Sequence, residues 1–392
     1  MVKWRNNMNI NELKKEFIKI YGEGSMRNFF SPGRVNLIGE HIDYNGGHVF
    51  PCALNFGTLG CVRKRKDNKV NLASTNIPLK VSINLEDIKY EKKHGWGNYP
   101  KGVIKEIIDK GYKVGGMDIL ISGNIPNGSG LSSSASLELL IAIMINNIFN
   151  DGKLDKVELI KLSQKAENDF VGLNCGIMDQ FAVAMGKKDM AILLDCNTLE
   201  YKYAPVDLGN YVITIMNTNK RRELSDSKYN ERRLECEKAL KLINKEKKIN
   251  YLCELSLEEF ESLKYLIKDN RVLNRATHVV YENERVKRAY YLLSKRNLKE
   301  FGKLLAESHF SLRDLYEVTG KELDAIVGEA LNVSGCIGAR MIGAGFGGCA
   351  IALVEKSKLD LFKKKVSNNY NKIIGYKPGF YTSEIGEGTY EI

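Results

Sequence analysis

Glycine and hydroxyl side chains crowd one short segment of the chain, Gly123-Asn124-Ile125-Pro126-Asn127-Gly128-Ser129-Gly130-Leu131-Ser132-Ser133-Ser134-Ala135-Ser136. A flexible backbone beside hydroxyls is the chemistry that wraps a polyphosphate. Upstream, Met117, Ile119 and Ile121 alternate with Asp118, Leu120 and Ser122, which predicts a strand half-buried on one face. Downstream, Leu137, Leu140, Ile141, Met144, Ile145 and Ile148 recur at the three-and-four spacing of an amphipathic helix. The cluster therefore opens a helix, where unpartnered N–H groups and the macrodipole favour an anion. The chain has no G-x-x-x-x-G-K-[ST], and Gly128-Ser129-Gly130-Leu131-Ser132-Ser133 lacks the third glycine of the dinucleotide fingerprint. A serine-rich loop before an ordinary helix has the same composition, so this segment alone leaves both readings open.

Two further segments have unusual composition. Ser31-Pro32-Gly33-Arg34-Val35-Asn36-Leu37-Ile38-Gly39-Glu40-His41-Ile42-Asp43-Tyr44-Asn45-Gly46-Gly47 places Arg, Glu, His and Asp between glycines. Asn45-Gly46-Gly47 predicts a tight turn. The carboxylates and imidazole crowded around it suit the hydroxyls of a polyol better than they suit a solvated hairpin. The third segment, Met341-Ile342-Gly343-Ala344-Gly345-Phe346-Gly347-Gly348-Cys349, leads into the apolar run Ala350-Ile351-Ala352-Leu353-Val354. It is a glycine loop entering a strand, either a tight backbone crossing or a second turn closing over phosphates or substrate.

These three segments, in this order, resemble the three motifs of the GHMP small-molecule kinases. Within that group Gly33 to Gly47 is similar, almost residue for residue, to the signature of the galactokinase branch; Ile42 and Ile342 stand where threonine is usual. The resemblance continues through Ala166-Glu167-Asn168-Asp169-Phe170-Val171-Gly172, Cys175-Gly176-Ile177-Met178-Asp179-Gln180-Phe181, Asn217 to Leu224, Ser227 to Arg233 and Arg275 to Val280, and so through nearly the whole chain. It implies a two-lobed α+β fold with mixed sheets and helices and the active site in the cleft between lobes. It also implies ATP-dependent phosphorylation of galactose at the anomeric hydroxyl, giving galactose 1-phosphate and ADP.

The roles that follow are those the resemblance implies. Asp179 is the general base and Arg34 stands beside it, favouring its charged form and stabilising the passing phosphoryl group. A guanidinium neighbour keeps a carboxylate available as an acceptor while making it a weaker base, so positioning and electrostatics share the work. Glu40, His41, Asp43, Gly176, Asp179 and Tyr229 contact the sugar, with Asp43 selecting the geometry at its 4-position. Gly128, Ser129, Gly130, Leu131, Ser132, Ser133, Ser134 and Ala135 hold the ATP phosphates, and Trp96 and Tyr99 flank the adenine unless they are ordinary core aromatics. Ser134 and Glu167 are the ligands of Mg²⁺, a cation that takes few protein oxygens. A kinase for N-acetylgalactosamine or another monosaccharide, and a non-catalytic sensor of galactose and ATP, remain alternatives. His48, His94, His278 and His309 show no ligand spacing and read as surface or core histidines.

Composition sets the outer bounds. With 392 residues, 43% hydrophobic and 27% charged, the chain exceeds what one core usually serves, and two lobes are expected, 1–205 and 206–392, divided where Ala204-Pro205-Val206-Asp207-Leu208-Gly209-Asn210 breaks the pattern. The eight cysteines show no C-x-x-C pair or zinc spacing, which predicts a reduced, cytoplasmic protein. The apolar run Leu139 to Ile145 is too short for a membrane span, and Met1 to Asn7 leads into no signal-type core. A formal charge of +11 invites comparison with nucleic-acid binders, but runs such as Glu231-Arg232-Arg233-Leu234-Glu235-Cys236-Glu237-Lys238 mix the signs as a solvated helix face does. The partners expected are thus galactose and ATP, with no nucleic acid, membrane or obligate protein partner.

Overall fold

Strands and helices alternate through the first part of the chain, whereas long helices dominate the second. The computed structural model describes residues 9–126, 130–220 and 225–392, with residues 225–227 described by backbone only. In chain order the first part holds α1 (Ile10–Tyr21), β1 (Arg27–Asn36), β2 (His48–Val49), β3 (Pro51–Lys64), β4 (Lys69–Ser74), β5 (Val81–Asn84), α2 (Asn98–Asp109), β6 (Met117–Gly123), α3 (Ser133–Phe149), α4 (Lys156–Lys165), α5 (Met178–Met185), β7 (Met190–Asp195) and β8 (Tyr201–Pro205). The second holds β9 (Tyr211–Asn217), α6 (Ser225–Ile243), α7 (Leu257–Leu263), α8 (Asn270–Ser294), α9 (Leu298–Asp314), α10 (Lys321–Leu331), β10 (Cys336–Met341), β11 (Cys349–Glu355), α11 (Leu359–Ile374), β12 (Gly379–Ser383) and β13 (Tyr390–Glu391).

Among the described residues these strands form three sheets, ordered β13-β1-β3-β6-β4-β5, β10-β11-β9-β12 and β2-β7-β8. All pairings are antiparallel except β4 with β6. The last strand crosses back to the first sheet: Phe29 pairs with Glu391, Phe30 with Tyr390, and Leu54 bridges to Ile385. Residues from about 385 onward therefore sit with the first sheet, on the far side of the division expected near residue 205.

Two sequence expectations change on folding. β6 is buried on both faces rather than one. α1 lays Leu13 and Phe17 against Leu120, while Met117, Ile119 and Ile121 face α2 and α3. α3 likewise is buried all round over Ala135 to Asn146, because β1 and β3 cover one side and α2, α4 and α5 the others. An apolar helix carrying one fully buried glutamate, Glu138, sits in the middle of the first lobe.

In the second lobe Ala276, Val279, Val280, Asn283, Val286, Ala289, Tyr290 and Leu293 stand at helical spacing, and α8 buries all of them except Tyr290, which is half-buried. The mixed charges of α6 are not all solvated. Arg232 is buried and donates to the Tyr316 carbonyl at 2.8 Å, so a run that reads as a surface stripe contributes to the interior. α9 and β10 meet backbone to backbone, since a methyl at Gly302 would lie 2.2 Å from the Ile337 oxygen and one at Gly338 2.2 Å from the Gly302 oxygen. Gly302→Ala is expected to destabilise the fold by about 1–3 kcal/mol through overpacking, read as a lower denaturant midpoint at constant slope. An unchanged midpoint would mean that helix and strand separate at no cost. No helix of the described residues is long and apolar enough to cross a membrane.

Candidate active site

β1 and the first turn of α5 bring Arg34 and Asp179 together at a cavity of about 400 Å³. Arg34 donates to Asp179 Oδ1 from Nε at 2.8 Å and approaches it with Nη2 at 2.6 Å, while its Nη1 donates to the Gly130 carbonyl at 2.6 Å. One guanidinium thus joins the carboxylate to the glycine-serine segment. Ser132 completes the arrangement. It is the N-cap of α3, in the left-handed region at φ 62°, yet its hydroxyl donates to Asp179 Oδ2 at 2.5 Å rather than capping the helix. The first N–H groups of α3 therefore remain available to an anion. Leu131 and Ala135 are buried and can offer only backbone, whereas Ser133 is exposed and Ser134 half-buried. Gly128 and Ser129 lie outside the described residues.

Behind Asp179 lies a buried acidic group. α4 ends in a π-turn over Ala166–Val171, a wider turn often found at functional sites, and it places Glu167 inward. Gln180 donates to both Glu167 and Glu138, at 2.7 Å and 2.9 Å, Ser134 hydrogen-bonds to Glu167, and the Cys175 thiol points at the same carboxylate. Burial first, and then the negative charge of Asp179, pushes Glu167 above the usual carboxylate range. Glu138 is pushed well above it by burial and by Glu167. The Oε1 atom of Glu138 is buried without a hydrogen-bond partner among the described residues. This surplus of buried negative charge and hard oxygen donors, with Arg34 the guanidinium bound to Asp179, fits a divalent cation held by a hydroxyl and a carboxylate.

The sugar-type segment forms a strained turn at the other end of the cavity. Gly39 has φ 102° and His41 φ 64°, and a short helical turn over Asp43–Asn45 is closed by Gly46 at φ 68°. The second lobe holds this turn in place. Glu282 on α8 accepts from the Gly39 N–H at 3.0 Å, His278 Nε2 donates to the Glu40 carbonyl at 3.2 Å, and the Gly343 N–H donates to the Glu40 carboxylate at 2.9 Å. Arg340, fully buried on β10, donates to the carbonyls of Asn36 and Leu37 and lies 3.6 Å from Glu40. Burial raises Glu40 above the usual carboxylate range, against the opposing pull of Arg340 and Arg34. Asp43 is pushed up to about 7 by burial and by Asp179. Burial lowers His41 to about 3, so its ring is neutral.

Arg34, Glu40, His41, Asp43, Glu167, Gly176, Asp179 and Tyr229 all line this one cavity, so segments far apart in sequence meet in it. Trp96 and Tyr99 do not line it. They are half-buried against the α2 and α3 core, and Trp96 Nε1 donates to the Leu79 carbonyl at 3.3 Å. Ile42 and Ile342 are fully buried in the main core, so apolar side chains at these positions are matched to apolar surroundings. Sequence reading missed Glu138, Gln180, His278, Glu282 and Arg340. A buried position for Glu138 was signalled by its place in an apolar run, whereas nothing local marks Arg340, whose partners come from the opposite lobe.

Three family models match the chain. The galactokinase galactose-binding signature covers residues 15–64, the GHMP kinases N terminal domain 98–187 and the GHMP kinases C terminal domain 289–372. Galactokinase of Ligilactobacillus salivarius is 54% identical over 380 residues, covering 96% of this chain and 98% of that protein. The chain belongs to the galactokinase family. Galactokinase of Clostridium beijerinckii is also 54% identical, over 387 residues that cover 98% of this chain and 99% of its own. The crystal structure of Lactococcus lactis galactokinase complexed with galactose superposes with a TM-score of 0.95 at 46% identity, over 98% of this chain and all of that one. Methanococcus jannaschii mevalonate kinase, at 20% identity and a TM-score of 0.64, shares the GHMP fold over 93% of the chain. The family's galactose-binding signature spans Arg34 to Asp43, and its N terminal domain spans the phosphate segment, Glu167 and Asp179.

Proposed function

We propose that this galactokinase-family protein transfers the γ-phosphoryl group of ATP to the anomeric hydroxyl of galactose, giving galactose 1-phosphate and ADP. The observation that carries the proposal is the Arg34–Asp179–Ser132 group, which joins the base of a sugar-sized cavity to the start of a helix suited to phosphates. Asp179 accepts the proton of the anomeric hydroxyl as its oxygen forms a bond to the γ-phosphorus and the bond to the ADP oxygen breaks. Both carboxylate oxygens already accept from fixed donors, which locks the side chain facing the substrate and leaves lone pairs for a hydroxyl. Arg34 stabilises the negative charge of the transferring group.

Ser134 and Glu167 would hold Mg²⁺, which neutralises phosphate oxygens when bound. Gly130 to Ala135 contribute backbone N–H groups and hydroxyls to the phosphates, with Gly128 and Ser129 extending the same segment, and Trp96 and Tyr99 border the adenine. Glu40, His41, Asp43, Gly176 and Tyr229 surround the sugar. Two domains, divided near residue 205 with the C-terminal strand returned to the first, and a cytoplasmic setting complete the reading. The buried, reduced thiols of Cys52, Cys61 and Cys236 support that setting.

The test is ADP release with Mg²⁺-ATP against galactose, glucose, N-acetylgalactosamine and arabinose, where galactose is expected to give the highest kcat/KM. Highest turnover with another sugar would reassign the substrate, and binding of both ligands without turnover would make the protein a sensor. Asp43 supplies a pH signature. A carboxyl with a pKa of about 7 is protonated below that pH and becomes a full acceptor above it. Galactose kcat/KM should therefore rise as pH increases through about 7, and Asp43→Asn should flatten that limb and weaken discrimination against glucose. An identical acid limb in both proteins would remove Asp43 from this role.

A further inference from the structure

Tyr316 lies outside the cavity wall but is connected to it by hydrogen bonds. It follows α9, is fully buried, and has its own backbone fixed, its N–H by the Ser311 carbonyl and its carbonyl by Arg232. Its hydroxyl is 2.9 Å from that of Tyr44, which in turn is 2.8 Å from His41 Nδ1. His41 Nε2 is 3.2 Å from the Ala344 carbonyl. Cys236 Sγ is 3.1 Å from the Tyr316 hydroxyl.

The direction of every bond in this chain follows from one acceptor. A carbonyl oxygen only accepts, so His41 Nε2 carries the hydrogen. The imidazole is neutral, its pKa lowered to about 3 by burial, so Nδ1 has a lone pair and accepts from Tyr44. The single hydroxyl hydrogen of Tyr44 is thereby used, and the hydrogen between the two tyrosines belongs to Tyr316. Tyr316 must then accept from the Cys236 thiol. The chain runs one way, from α6 through Tyr316, Tyr44 and His41 to the third glycine segment.

We propose that Tyr316 is a positioning residue for the sugar cavity, its hydroxyl proton fixing the Tyr44 hydroxyl and, through it, the ring of His41. Two consequences follow. Both ring nitrogens of His41 are engaged within the protein, so His41 shapes the wall rather than donating a ring N–H to the sugar. The hydrogen-bonded series also ends at Ala344, and neighbouring Gly343 packs close to Gly130, since a methyl there would sit 3.3 Å from the Gly130 oxygen, so the sugar wall abuts the phosphate side of the site. A non-glycine residue at φ 64° needs such fixing, because that backbone region is sparsely populated without it.

The inference rests on the sugar occupying this cavity, and its test separates the two. Tyr316→Phe keeps the ring and removes the hydroxyl, both the proton given to Tyr44 and the oxygen that accepts from Cys236. It is expected to raise the galactose KM about tenfold, the effect of losing one buried hydrogen bond and leaving its partner unmatched, with the ATP KM at the wild-type value. In a Tyr44→Phe background the same change should add little, because the effect travels through the Tyr44 hydroxyl. The ¹⁵N NMR signals of His41 should show the Nε2–H tautomer with or without sugar. A galactose KM unchanged by Tyr316→Phe, equal rises for galactose and ATP, a full additional effect in the Tyr44→Phe background, or an Nδ1–H tautomer would each overturn the proposal. Failure of the wild-type protein to use galactose would instead sink the substrate assignment, leaving the tautomer result standing.

Discussion

Asp179→Asn is expected to lower kcat by about 10²–10⁴ while galactose and ATP still bind, the range lost when a positioned general base is removed. The replacement is nearly isosteric, so the cavity keeps its shape. It exchanges one carboxylate oxygen for an NH₂ group, and both oxygens of Asp179 accept from donors, Arg34 on one and Ser132 on the other. With the amide oxygen turned to Arg34, the NH₂ group faces Ser132, whose hydroxyl can turn to accept it, so the contacts survive while the amide is too weak a base to take the anomeric proton. Binding is read by calorimetry with each ligand separately and transfer by single-turnover release of ADP. Turnover near the wild-type rate would exclude Asp179 as the base and assign the catalysis to Arg34 and the phosphate segment.

Gly176→Ala is expected to raise the galactose KM about a hundredfold, the scale of loss that follows an ångström-sized displacement in a site. A methyl at Gly176 would lie 1.9 Å from Asp43 Oδ2 and 2.4 Å from its Cγ. The backbone there is not in the left-handed region, so alanine is accommodated by the main chain and the whole conflict falls on Asp43. That side chain is too short to bend away and must swing out of the sugar site. Because the clash opens toward the cavity, the melting temperature should change little and the ATP KM not at all. A normal galactose KM would place the sugar away from Asp43.

The grouping of residues around the cavity was legible in the sequence because they lie in short segments that stay contiguous after folding. Arg34, Glu40, His41 and Asp43 lie within one short segment, Gly130 to Ser134 within another, and Gly176 with Asp179 around one helix start. The supports were not legible, because each acts across the chain. Arg340 meets Asn36 and Glu40, His278 meets the Glu40 carbonyl, and Tyr316 meets Tyr44, with sequence separations of hundreds of residues. His278 reads as a core histidine and is one by burial, yet its second nitrogen holds the sugar turn. The fold was readable as two-lobed α+β, but burial of both faces of β6 depends on α1, which sequence periodicity within β6 cannot register.

The pairing of β13 with β1 has a consequence for synthesis. Arg27 on β1 is bonded to Glu391, Ser31 to Thr389, and the Ile392 N–H to the Asn28 carbonyl. The strand that carries Arg34 is made long before its outer neighbour, since Arg27 and Glu391 lie 364 residues apart. Until β13 is made and closes this seam, β1 presents an open edge, competent to pair with another chain. Its contacts have among the longest sequence separations in the molecule, which makes this closure a late and slow step of folding.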